Sequence, residues 1–209
     1  MPTFQTPDAI TVTIDVPSAD VRVIASDRTD TVVEVRPADA TKKNDVRAAE
    51  QTQIDYAAGN LTVHTVKGRR EYTPFGGNAS IEVTIEVPTG SQLKATAALG
   101  RLVGSGELGQ CDMEIAAGDI IVERPLESVT AKTAKGDIRI GEASRGELRL
   151  ETSMGELEVG IRPGSAARLE TDAKYGSVQN ALEPVDGAKG TVHVYARNSY
   201  GNIIIGHAA

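Results

Sequence analysis

Asp119, Asp137 and Glu156 each follow a glycine and recur at intervals of 18 and 19 residues. If each interval is one turn of a stacked repeat, the three carboxylates form an outward column with neighbours about 5 Å apart. Such a column could hold a hard cation such as calcium, which takes several oxygen ligands. A solvated turn column accounts for the same residues, since Asp beside glycine makes local hydrogen bonds. Arg101 heads the column, Ser177 and Asn202 continue it without charge, and the calcium-roll motif is absent. The solvated column is the favoured reading, and no metal or cofactor is expected.

His64, His193 and His207 are scattered along the chain and read as exposed strand or tail residues. No Ser or Cys nucleophile has a partner implied by spacing, so no enzymatic activity is expected. The lone cysteine, Cys111, excludes an intrachain disulfide and reads as a small inward hydrophobe.

The residue before each glycine gives a second column: Leu99, Ala117, Lys135, Met154, Tyr175 and Tyr200. Lys135, Met154, Tyr175 and Tyr200 are therefore a candidate contact rim for a partner or a sugar, because Met and aromatic side chains make good anchors. Plain coverage of a corner is the competing account.

Those columns require a repeat to position them. The glycines Gly100, Gly118, Gly136, Gly155, Gly176 and Gly201 stand 18, 18, 19, 21 and 25 residues apart. A near-regular period of this length marks an array whose units bury their apolar faces only by stacking. After each glycine the aliphatics alternate: Ile120 and Val122, Ile138 and Ile140, Leu157 and Val159, Ile203 and Ile205. Period-two alternation over short segments predicts strands with one buried face. A narrow core layered with aliphatics also explains why aromatics are only 3% of the chain.

Before each glycine a second strand alternates as well. Stacked in chain order, its outward residues form one column of Asp112, Thr130, Arg149, Arg168 and His193, and another of Glu114, Lys132, Glu151, Glu170 and Tyr195. This order sets Glu151 beside Glu170, to be relieved diagonally by Arg149 and Arg168.

The first ninety residues are less regular but also alternate, with "AAGN" at 57–60 as a hairpin turn and 44–50 as a short helix capped by Asn44 or Asp45. The basic stretch 66–78 reads as a solvated loop. The expected fold is all-β: a β-solenoid of β-helix or β-roll type over 91–209, about five coils by the glycine count, with residues 1–90 as a β-rich cap continuous with it. At the far end "GNIII" would leave Ile203, Ile204 and Ile205 on a bare terminal coil, a candidate self-association end.

Twenty-two basic against 29 acidic residues give a net charge of −7 with both signs interspersed, which argues against nucleic acid as a partner. The N-terminal stretch reads as a strand rather than a signal peptide, and no run is long and apolar enough for a membrane span, so a cytoplasmic location is expected.

The segments "VPSADVRV", "AAGNLTV" and "IEVTIEVPTGSQL", followed by "TAKGDIRI" and "TSMGELEV", resemble the bacterial β-strand-repeat family known as "putative adhesins", a domain of unknown function. The resemblance implies a β-helix or β-roll-like fold and a role in contact rather than chemistry. The expected function is a non-catalytic interaction scaffold for a protein partner or for copies of itself. An adhesin-like or carbohydrate-binding surface protein is the first alternative, and a carbohydrate-active β-helix enzyme the second.

Overall fold

The computed structural model describes residues 1–65, 79–183 and 190–208. The basic stretch 66–78 lies outside the described residues. In chain order the elements are β1 (Thr3–Gln5), β2 (Thr11–Ser26), β3 (Asp30–Pro37), α1 (Lys43–Gln51), β4 (Thr52–Ala57), β5 (Asn60–Thr65), β6 (Ile81–Pro88), β7 (Gln92–Leu108) and β8 (Cys111–Pro125). Then follow β9 (Val129–Lys135), β10 (Ile138–Ala143), β11 (Gly146–Met154), β12 (Leu157–Ile161), β13 (Ala166–Tyr175), β14 (Val178–Asn180), β15 (Thr191–Tyr200) and β16 (Ile203–His207). The fold is all-β apart from α1, and the strands join one continuous hydrogen-bonded network.

From β7 onward each repeat is a rung of one strand, a glycine corner and a second strand, and in β2 Ala19 stands at the corner position opposite Gly100. Where the chain runs straight through the corner, as in β7 and β8, the rung is a single long strand that pairs in parallel register on both sides of the bend. The alternation expected from sequence holds, with β9 buried at Val129, Ala131 and Thr133 and exposed between them. Stacking the rungs lines up Val83, Val21, Leu102, Ile120, Ile138, Leu157, Ile203 and Val178 as successive pairing partners. All of these except Val178 are fully or nearly fully buried. Branched aliphatics in one column interdigitate without the volume a ring would need.

The order of rungs differs from chain order at both ends. At one end β2 is sandwiched between β7 and the later strands β5 and β6. The parallel stack therefore already includes residue 11, and the boundary expected at residue 91 falls inside one continuous register. At the other end β15 and β16 insert between β11–β12 and β13–β14.

The inserted rung has the more apolar inward row. It carries Val192, Val194, Ala196, Asn198, Ile203 and Ile205, all buried, whereas β13 and β14 offer Ala167, Leu169, Thr171, Ala173, Val178 and Asn180. Covering the more apolar rung on both sides removes more apolar surface from water, at roughly 25 cal/mol per Å².

A cap closes the β5–β6 end. Ala58 and Gly59, both at positive φ (49° and 77°), turn β4 back onto β5 as the expected hairpin. β3 pairs antiparallel with β6, and β1 with β3. Helix α1 packs on β3, β5 and β6. Its N-cap is Lys42, with no side-chain cap, rather than Asn44 or Asp45. Asp45 instead lies buried in the first turn and accepts a hydrogen bond from the Ser80 amide at 3.1 Å. A carboxylate in a helix's first turn also faces the positive end of the helix dipole.

Candidate functional site

The corner is built around glycine. Gly136 has φ of 144°, and a Cβ there would stand 2.0 Å from the Gly118 carbonyl oxygen of the preceding rung. Only a residue without a side chain lets the rungs approach this closely. Thr133 donates its hydroxyl to the Gly118 carbonyl at 3.2 Å, and Thr152 does the same to Gly136 at 3.0 Å. Asn198 Nδ2 repeats the bond to Gly155 at 2.7 Å. A buried polar row thus satisfies the corner carbonyls one rung back.

The acidic column forms, and its carboxylates accept hydrogen bonds from the neighbouring rungs. Asp119 Oδ1 accepts from the Asp137 amide at 3.0 Å, and Asp137 Oδ1 from the Glu156 amide at 2.8 Å. Glu156 Oε1 accepts from Asn202 Nδ2 at 3.0 Å. Asn202 Oδ1 in turn accepts from the Ser177 amide and hydroxyl at 3.2 and 2.9 Å. Arg101 reaches Asp119 at 3.9 Å. The column is a ladder in which Asp119, Asp137 and Asn202 each cap the next rung's corner amide, while Glu156 holds the Asn202 side chain. Among the described residues, no group of three or more His, Cys, Asp or Glu side chains is placed to hold a metal ion.

The rim is also assembled. Pairing partners run Leu99, Ala117, Lys135, Met154, Tyr200, Tyr175, so the two tyrosines exchange places relative to chain order. Met154, Tyr200 and Tyr175 are 52%, 54% and 57% exposed. The tyrosine rings stack with centroids 4.8 Å apart and 13° between planes, and Lys174 Nζ lies 5.7 Å from the Tyr175 ring centre.

Two expectations are corrected. Ile203, Ile204 and Ile205 are not a bare end: β16 is paired on both sides, with Ile203 and Ile205 fully buried. Among the described residues the rung left unpaired on its outer side is β13–β14. Likewise Glu151 does not neighbour Glu170; it stands between Lys132, whose Nζ is 3.6 Å away, and Arg197.

Sequence reasoning missed the face that follows from this register. Lys132, Arg149, Glu151, Tyr195, Arg197 and Glu170 border a shallow cavity of about 470 Å³, with the Arg149 guanidinium 4.8 Å from the Tyr195 ring centre. Counting back from each glycine finds the register: Thr133, Thr152, Asn198 and Ala173 all stand three residues before one. The cavity mixes both signs of charge. His64, His193 and His207 lie in three different strands and do not converge with it. Cys111 points inward, with its thiol pushed up to about 12 by burial.

Stacked, glycine-cornered parallel rungs with a capped end define a class of all-β repeat protein. More particularly, the chain belongs to the Toastrack DUF4097 family, a domain of unknown function, which residues 9–160 match. The resemblance read from the repeat motifs holds. The two rungs at the open end lie beyond the matched span. Similar solved structures include a "putative cell adhesion protein" from Clostridium sporogenes, 13% identical over 99% of this chain and 98% of the other, with a TM-score of 0.49. A "putative adhesin" from Bacteroides fragilis is 10% identical over 98% and 95%, with a TM-score of 0.43. A "putative lipid binding protein" from Parabacteroides distasonis is 13% identical over 100% and 94%, with a TM-score of 0.33. No curated protein matches the chain.

Proposed function

We propose that the chain is a β-solenoid that works by contact rather than by chemistry, a rigid scaffold whose corner rim receives a protein partner. The observation that carries this reading is the line of Met154, Tyr200 and Tyr175, each more than half exposed on adjacent rungs. Large apolar and aromatic side chains aligned on a rigid frame are the anchors that interfaces use. Ring stacking already restricts both tyrosines, so a partner meets side chains whose ordering cost is partly met in advance.

The carboxylate ladder supports the non-catalytic part. Asp119 and Asp137 each hold a corner amide of the next rung. A general acid or base working there would have to release a structural hydrogen bond in each cycle. A protein is favoured over a sugar because each tyrosine turns one face to the other, whereas sugar recognition draws on open ring faces.

A phage-displayed peptide library selected on the purified protein tests the reading. Enriched peptides should lose at least tenfold in affinity for the Met154→Ser, Tyr175→Ser, Tyr200→Ser triple variant, with its melting temperature unchanged. Peptides that bind wild type and variant equally would overturn it.

A further inference from the structure

The open rung carries an inference beyond the rim. Among the described residues nothing pairs with the outer edges of β13 and β14, whose only ladders run to β15 and β16. Their inward side chains Ala167, Leu169 and Ala173 are only partly buried, and Val178 is 44% exposed. A parallel rung with an unpaired edge and a half-covered apolar row is a template for another strand.

The opposite end of the stack carries α1 and antiparallel strands, of which β4 and β1 each pair on one side only among the described residues. Asp55 is the one charged residue of β4 and β1 has none, so neither edge complements the charged outward row of β13 in a head-to-tail contact. What remains for a second copy is open end against open end, which is an isologous contact that closes at two subunits.

Charge selects the register. The outward residues of β13 are Arg168, Glu170, Asp172 and Lys174. Arg168, Glu170 and Asp172 make no ion pair within the described residues, whereas some interior rungs pair theirs, as in Lys132–Glu151 and Arg139–Glu158. Two antiparallel registers overlap nearly all of β13 with its copy while keeping the inward faces together. One sets Arg168 against the copy's Lys174 and Glu170 against its Asp172, so every charged pair repels. The other sets Arg168 against the copy's Asp172 twice, with Ala167 facing Ala173 and Leu169 facing Thr171. Its one like pair, Glu170 with its own copy on the two-fold axis, has both Arg168 and Asp172 of the other chain on its diagonals, each itself opposed by its opposite charge. Directly opposed charges in antiparallel strands attract or repel by this pairing.

We infer that the chain forms a closed dimer through antiparallel pairing of β13 with β13 of a second copy, in the register that sets Arg168 against Asp172. This rests on the scaffold reading only in needing the rungs to stack as described; the rim shares with the pairing strand only Tyr175, at the end of β13.

Sedimentation velocity over a wide concentration range tests it. Wild type should pass from monomer to dimer and go no further. Arg168→Asp and Asp172→Arg should each weaken the dimer at least tenfold, and the double variant should restore it to within about threefold, because the swap exchanges partners without changing total charge. Glu170→Gln removes the repelling pair and should tighten the dimer about twofold to fivefold, a gain that misfolding cannot mimic. A monomer at every concentration, an open-ended series of larger species, or a double variant no better than the singles would overturn the inference. Peptide capture at the rim, read on the same samples, separates this failure from failure of the scaffold reading.

Discussion

Asn198 Nδ2 donates to the carbonyl of Gly155 at 2.7 Å, across 43 residues of chain and in the place where Thr133 and Thr152 serve Gly118 and Gly136. Ala173 holds the equivalent place on β13 and cannot donate. The rung able to satisfy Gly155 is the one that lies against it. Asn198→Ala should therefore destabilise the protein by about 0.5–1.5 kcal/mol, the net contribution of a hydrogen bond to a half-buried acceptor. Asn198→Thr should recover part of that. Urea unfolding measures both, and equal midpoints for wild type and Asn198→Ala would show that the bond contributes nothing.

The corner makes a sharper demand on Gly136. At φ of 144°, and with Gly118 O 2.0 Å from a prospective Cβ, Gly136→Ala should cost at least about 1–3 kcal/mol from backbone strain alone. Thermal unfolding reads the loss, and an unchanged melting temperature would mean that neighbouring rungs separate freely at the corner.

How much of this was legible in the sequence depends on which contacts are local. Alternation around Ile138 and Ile140 states which face is buried, and "AAGN" states where β4 turns into β5, since both depend on residues close together in the chain. Rung order does not. Any rung offering aliphatics at the period of its neighbour can stack on it, so periodicity alone could not separate 166–180 from 191–207. The distinguishing signs were Asn198 against Ala173 and Ile205 against Asn180, and they decide only when both rungs compete for one place. Setting His193 rather than Tyr195 in the column of Arg149 placed β15 two residues from its partners on β11, hiding the Arg149–Tyr195 contact.

Cys111 gives a chemical test of burial. Its Sγ packs inside, contacts the Gly109 carbonyl at 3.7 Å, and has its pKa raised to about 12 by desolvation. Reactivity belongs to the thiolate. Ellman's reagent at pH 8 should leave the native protein unlabelled over an hour and titrate the thiol at once in urea. Rapid labelling of native protein would place the thiol at the surface.

Near the cap, the Arg28 guanidinium bonded to Asp30 at 2.9 Å holds the Asp30 carboxyl below its usual value of 3.8. A depressed carboxylate contributes stability that is present above its unfolded value and is lost as pH falls through the folded one. Stability should accordingly decline below pH 3.8, and Asp30→Asn should remove part of that decline. Chemical unfolding at pH 7 and pH 3 gives the comparison; the same pH dependence in wild type and variant would leave the pair without a role in acid stability.

The exchange of rungs has its own decisive test in Ile203 and Val178, which are partners in one column. Ile203 is fully buried between Leu157 and Val178, whereas among the described residues Val178 has a pairing neighbour on one side only and is 44% exposed. An aspartate in place of Ile203 would be an uncompensated charge between two layers and should cost several kcal/mol. At Val178 the same carboxylate can reach water, and the cost should stay near or below about 1 kcal/mol. Stacking in chain order requires the reverse, with position 178 enclosed and position 203 at the end. Urea unfolding of Ile203→Asp and Val178→Asp side by side discriminates the two arrangements: a larger loss at 203 supports the inserted rung, and a larger loss at 178 would refute it.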